Sequence, residues 1–167
     1  KPKGLLIKGS SNGEAGKIIR GVTNMLVKQI SVFLENKSGR LAEVTKILGE
    51  NNIDISALSI ADTTDFGILR LIVNDPDKTL KVLQENNFTV QTTEVIAIAV
   101  EDRPGGLSEA LKILSEYSIG IEYMYAFVGK ATNKALVIIR TDNPEEAVKR
   151  LQESDIEVLS PETVYKL

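Results

Sequence analysis

Glu101-Asp102-Arg103-Pro104-Gly105-Gly106-Leu107 stands between an apolar run, Val95 to Val100, and a helix-like run, Leu107 to Tyr117. Pro104 fixes its own φ and pushes Arg103 towards an extended conformation. Gly105 and Gly106 let backbone or ligand approach closely. The segment reads as a sharp strand-to-helix turn with helix-start amides pointing outward. Such a terminus carries unpaired N–H groups and about half a positive charge, which suits a carboxylate or phosphate. Taken alone, the plainer reading is a turn that only caps a helix.

Working outward, the stretch has a counterpart 66 residues earlier, Glu35-Asn36-Lys37-Ser38-Gly39-Arg40-Leu41. Gly39 matches Gly105 and Leu41 matches Leu107. At the same offset Ile30, Val32 and Leu34 match Ile96, Ile98 and Val100, and Ile53 and Ile55 match Ile119 and Ile121. Pro76 and Leu83 match Pro144 and Leu151 two residues further on, so the second copy has gained two residues, placed near 129–134. The body is one unit written twice.

Each copy spells βαββαβ. In the first, Ile30, Val32 and Leu34 alternate along a strand from Lys28 to Glu35. A helix follows over about 39–50, with Leu41, Val44 and Leu48 on one stripe and Ser38 as its N-cap. Strands over Ile53–Asp62 and Ile68–Val73 form a hairpin. Asp75 and Pro76 start a second helix, and Thr89–Thr93 is the closing strand. The second copy repeats the order, with strands over Val95–Glu101, Ile121–Val128, Ala135–Arg140 and Ile156–Leu159, the last resuming at Glu162–Tyr165. Its helices run over 106–117 and from Asn143-Pro144 to about Glu153.

The pattern predicts an α+β fold: two ferredoxin-like units, each a four-stranded antiparallel sheet with two helices on one face. The units divide as 25–93 and 94–167, docked on one another because no Gly/Pro linker separates them. Phe33, Leu58, Ile60, Met124 and Ala126 mark the open sheet face, which then packs on the sister copy or another chain.

Composition narrows the chemistry. The 167 residues contain neither Cys nor His, which removes thiol chemistry, thiolate metal sites and the commonest general base. No cofactor is expected. Aromatics are 5% and Trp is absent, so there is little to stack on bases. Lys1, Lys3, Lys8, Lys17 and Arg20 face only Glu14 within residues 1–24, while the rest of the chain is acidic and should repel nucleic acid. No apolar run approaches a membrane span, and no secretory signal is visible, so a cytoplasmic location is the default. Residues 1–24 read as an extension, a tag or a mis-called start, with Met25 as the natural initiator. Gly13-Glu14-Ala15-Gly16-Lys17 fails as a phosphate loop, since Ser11 and Ile18 stand where Gly and Ser/Thr are needed.

The strand, the Asp102–Leu107 turn, the helix and the Ile119-Gly120-Ile121 entry to the next strand resemble an ACT domain. The first copy, through Asn36–Leu41 and Ile53-Asp54-Ile55, resembles a second. The likeness spans Met25 to Leu167 and is nearest to stand-alone tandem-ACT proteins. It implies a non-enzymatic regulatory module that binds an amino acid at ACT–ACT interfaces, between the first loop and the start of the second strand. It further implies a homodimer and a metabolic enzyme as partner. Carried over, the first site would use Asn36, Ser38, Gly39, Arg40, Leu41, Ile53 and Asp54. The second would use Asp102, Arg103, Pro104, Gly105, Gly106, Leu107, Ile119 and Gly120. Helix-start N–H groups with Arg40 or Arg103 suit an α-carboxylate, and Asn36, Asp54 or Asp102 an ammonium. Two departures stand out: Ser38 replaces the usual Pro, and Gly120 replaces a polar residue.

Two other functions compete. An acyl-phosphate hydrolase would need an Arg in the first loop, but no nucleophile–base pair accompanies it here. A pure interaction module would use the sheet face and leave the loops structural. Tyr123 and Tyr125 are the nearest approach to an RNA-binding sheet, and core or interface packing explains them better.

Overall fold

The alternation in residues 26–35 forms a ten-residue strand, β1 (Leu26–Glu35), and the sheet is built outward from it. The computed structural model describes Gly21 and residues 24–62, 66–127 and 133–167. After β1 come α1 (Arg40–Glu50), β2 (Ile55–Asp62), β3 (Phe66–Val73), α2 (Pro76–Glu85) and β4 (Thr89–Glu101). Then follow α3 (Gly106–Glu116), β5 (Ile121–Ala126), β6 (Lys134–Thr141), α4 (Pro144–Glu153), β7 (Glu157–Val158) and α5 (Pro161–Val164). The reading of residues 1–24 lies outside the described residues except at Gly21 and Asn24, and most of the two-residue insertion lies outside them too.

The βαββαβ order occurs twice. Strand neighbours run β2-β3-β1-β4 in the first half and β5-β6-β4-β7 in the second, all antiparallel. This is the ferredoxin-like arrangement, and the fold is α+β. The expected strands at Thr89–Thr93 and Val95–Glu101 are, however, one strand of 13 residues. The first part of β4 pairs with β1, from Thr89 opposite Phe33 to Ile96 opposite Leu26. Its last part pairs with β6, from Ile96 opposite Ile139 to Glu101 opposite Lys134. The two halves therefore share one continuous sheet. Thr92 and Glu94 imitate a break in the sequence because they are exposed, not because the strand stops.

Alternate side chains of the sheet serve two layers. Ile30, Val32 and Leu34 pack with Val44, Leu48 and Leu83 beneath α1 and α2. Ile96, Ile98 and Val100 pack with Ala110, Leu114 and Leu151 beneath α3 and α4. Each of the Val, Leu and Ile side chains is worth about 1.5–3 kcal/mol when fully buried. The opposite face holds a third core, with Val27, Ala57, Ile72, Val95, Ala97 and Ile138. Ala57 of the edge strand β2 forms an antiparallel bridge with Phe127, the residue after β5, so the sheet curls around this inner core. Val164 of α5 and the adjacent Tyr165 pack against it. The Tyr165 hydroxyl accepts the Lys28 N–H at 2.8 Å.

Two expectations are corrected by local geometry. Register shifts between Ile55 and Ala57 and between Ile121 and Tyr123 turn β2 and β5 over part-way. Leu58 and Ile60 then sit beside Leu71 and Leu69, and Met124 and Ala126 beside Ile139 and Val137, on the helix side. Of the five residues assigned to the open face, only Phe33 keeps the strand phase of Val27 and the inner core. The final strand also does not resume at Glu162. Ser160 caps a short helix there, accepting the Thr163 N–H, and Pro161 takes its first position.

Among the described residues, the four longer helices end alike. Asn52, Asn87, Ser118 and Asp155 adopt left-handed φ of 54°, 63°, 56° and 59°. The next N–H then returns to a carbonyl in the last turn: Ile53 to Leu48, Phe88 to Leu83, Ile119 to Leu114 and Ile156 to Leu151. This is the Schellman closure, with the apolar residue after the turn packed down. It fixes where β2 and β5 begin, and hence which residues stand opposite the β1–α1 and β4–α3 turns.

Candidate functional site

The two turns share their N-cap dihedrals and their backbone hydrogen bonds. Gly39 and Gly105 are the N-cap residues of α1 and α3, with left-handed φ of 89° and 88° and no side-chain cap. The cap expected at Ser38 is therefore one residue later, because only the left-handed turn brings the chain round into the helix. In both loops an N–H folds back onto the strand's last carbonyl: Lys37 to Glu35 at 2.7 Å, and Arg103 to Glu101 at 2.8 Å. The first N–H of each helix turns back to its loop, Arg40 to Lys37 O at 3.3 Å and Gly106 to Arg103 O at 3.0 Å, and no side chain caps the later first-turn amides, the arrangement that anion binding requires.

A cavity of about 120 Å³ lies at the first turn, lined by Leu34, Glu35, Asn36, Lys37, Arg40, Leu41, Ile60 and Gly67. The loop, the helix start and the middle of the β2–β3 hairpin thus converge on one point. Among the first group of site candidates, Asn36, Arg40 and Leu41 line it. Ser38 and Gly39 are exposed on the loop and outside the lining. Ile53 is a core residue at 5% exposure. Asp54 is spent on the backbone: its carboxylate accepts the Ile55 N–H at 3.0 Å, and its own N–H donates to Asn74 Oδ1.

Charge around this cavity is mixed. Lys37 Nζ lies 2.9 Å from Glu35 Oε2, and this hydrogen-bonded pairing holds the Glu35 carboxyl below its usual range. Arg40 Nη1 donates to Glu43 Oε2 at 2.6 Å, and its guanidinium lies over the Phe88 ring at 4.6 Å. The site offers both signs within one small volume, which matches a zwitterion.

At the second turn Asp102, Arg103, Pro104 and Gly105 are exposed. Asp102 N–H donates to Asn133 O at 3.3 Å, and Arg103 Nη2 to Glu109 Oε1 at 2.6 Å. Gly106 is buried, and a Cβ there would stand 2.1 Å from Glu101 O. Leu107 packs on the core of its own half, and Ile119 is buried at 8% exposure. Gly120 N–H donates to Asp142 Oδ1 at 3.0 Å, the counterpart of the Asp54–Asn74 contact.

Sequence reasoning missed Leu34, Glu35, Lys37, Ile60 and Gly67 as lining residues. The approach of β2 carries no local signal, because the register shift decides which face Ile60 takes. It also missed a larger cavity of about 490 Å³ between the ends of β4, β6 and β7 and the C-terminal turn, lined in part by Ala99, Leu136, Leu159 and Leu167. The polar contacts inside the inner core were equally hidden. Gln29, fully buried, donates to Ser31 Oγ and Tyr123 Oη at 3.1 and 2.9 Å and accepts from Tyr125 Oη at 2.8 Å. The Arg70 guanidinium lies over the Tyr123 ring at 3.9 Å. Among the described residues, no helix is long and apolar enough to cross a membrane.

Comparison with known proteins agrees with the repeat. Residues 25–167 match a family described as an ACT domain pair. The crystal structure of protein BT0572 from Bacteroides thetaiotaomicron is 48% identical, with a TM-score of 0.81, over 86% of this chain and 98% of that one. The ligand-free regulatory subunit of aspartate kinase from Thermus thermophilus shares the fold at 14% identity and a TM-score of 0.57, over 78% and 94% of the two chains. The corresponding subunit from Thermus flavus does so at 14% and 0.51, over 76% and 91%. A comparison with curated proteins gives no match. On the family match over both halves and the 48% identity along nearly the whole of a solved relative, the chain belongs to the ACT domain pair family.

Proposed function

We propose that this chain is a non-enzymatic regulatory sensor that binds an amino acid at the β1–α1 turn and passes the signal to a partner. The carrying observation is the first-turn cavity, where Glu35, Asn36, Lys37 and Arg40 present both signs of charge beside the apolar Leu41 and Ile60. The ligand carboxylate takes the helix-start amides with Arg40 or Lys37, and the ammonium takes Asn36 or Glu35. The family relation and the regulatory subunits that share the fold support the regulatory half of this reading.

The cavity is small beside the roughly 300–1,000 Å³ that ligand pockets usually offer. A second chain laid against the rim would complete it. Leu41, Leu58 and Ile60 stand 44%, 44% and 52% exposed there, an apolar edge suited to a homodimer interface. The ligand then acts by binding one docked arrangement better than another. A cytoplasmic location and a metabolic enzyme as regulated partner complete the reading. The same exposed edge favours the alternative, a pure interaction module with no small ligand.

A thermal-shift screen of the full chain with the twenty amino acids separates the two. At a hundred times its dissociation constant, a ligand adds about 2.7 kcal/mol and raises Tm accordingly. The expected result is a rise with one amino acid or a few related ones. No rise with any of them at millimolar concentration refutes the sensor and leaves the interaction module.

A further inference from the structure

The two turns share a backbone and differ in what fills the space beside it. Leu41 is 44% exposed at the cavity rim, whereas its counterpart Leu107 packs against the core of the second half. Gly67, opposite Leu34, lines the cavity without a side chain. Its counterpart Ala135, opposite Val100, packs its methyl on the core. Leu58 stands 44% exposed, and its counterpart Met124 packs on the core. The charged Arg40 is matched by Gly106, where a Cβ would come within 2.1 Å of the Glu101 carbonyl. No side chain can occupy that point without moving the loop. Three of the differences leave the first turn open where the matching side chain of the second packs on the core. The fourth moves the arginine off the helix: at the second turn it is Arg103 of the loop, held 2.6 Å from Glu109 in the first helical turn.

We infer that each chain binds one amino acid, at the first turn, and that the second turn is a structural copy that keeps the fold but takes no ligand. This rests on the sensor reading above and specifies its stoichiometry. A regulator built this way responds to one ligand per protomer. Any cooperativity then comes from contacts between chains, not from two sites within one.

Equilibrium dialysis of the full chain against each of the twenty amino acids in radiolabelled form counts the sites. About one bound per chain is expected for any amino acid that binds. Two per chain overturns the inference and leaves the sensor reading standing. None bound overturns both.

Two variants then place the site. A Cβ at Gly67 would have Ala61 O as its nearest neighbour at 3.7 Å, an ordinary contact, so the strand accepts a side chain there that enters the cavity. Gly67→Val is expected to weaken binding about tenfold or more with Tm retained, and Gly67→Ala to do so less. Ala135→Gly, at the matching position of the second turn, is expected to leave affinity unchanged. If Gly67→Val melts early, Gly67→Ala carries the comparison. Unchanged affinity in the folded Gly67 variant overturns the inference, as does loss of binding in folded Ala135→Gly.

Discussion

The paired glycines show how much a single residue decides in this fold. Gly105 needs its missing Cβ because of its left-handed φ of 88°, with open space around it. Gly106 needs it for contact, since a Cβ would meet the Glu101 carbonyl at 2.1 Å. The two causes predict different costs. Gly105→Ala should lose about 1–2 kcal/mol, the strain of a left-handed L-residue. Gly106→Ala should lose more, because the loop that ties Arg103 N–H to that carbonyl must open. Urea denaturation of the two variants checks the order, and equal losses would contradict it. Gly39 and Gly105 were legible from the sequence, as was the turn they make. The distinct reason for Gly106 was not, because sequence does not report the distance to a carbonyl five residues back.

At the scale of elements, a buried polar link in the inner core joins β1 to β5 through Gln29 and the two tyrosines. Tyr125 Oη donates to Gln29 Oε1 at 2.8 Å. Tyr125→Phe leaves that carbonyl oxygen, on a fully buried residue, without its tyrosine donor, and should cost about 1–3 kcal/mol. It should also change the response to alkali. Burial pushes the Tyr125 phenol pKa upward, Tyr123 adds to the rise, and Arg70 opposes it. Below about pH 10, the ordinary tyrosine value, the phenol is neutral in both states and its contribution is fully present. Above that the unfolded chain ionises first. Stability then falls by about 1.4 kcal/mol per pH unit until the native phenol ionises too. Tyr165, raised chiefly by burial, contributes with the same sign. Denaturation curves from pH 8 to 11 should show a shallower decline in Tyr125→Phe than in the parent chain. Helices and most strands were readable here from apolar period, from Asp75 and Asn143 as caps and from Pro76 and Pro144 at the first positions. The faces of β2 and β5 were not. Leu58, Ile60 and Met124 alternate as an inner-face strand would, and only the register shift ahead of them reverses their side.

For the whole molecule, the repeat made the architecture legible, while the join between its copies stayed hidden in β4. Leu26, the first residue of β1, pairs with Ile96 and belongs to the core beneath α3 and α4. Val27 lies in the inner core with Val95 and Ala97. Each half thus keeps part of its interior on the other's chain segment. The fold does not divide where the sequence repeat does, because the two copies share one strand. Residues 25–93 and 94–167 expressed apart should each lack a defined melting transition, with an unpaired strand left at the cut. Mixed together they should reassemble and recover a single cooperative transition by circular dichroism. Two independently stable fragments would show instead that the seam through β4 is only a contact between finished domains.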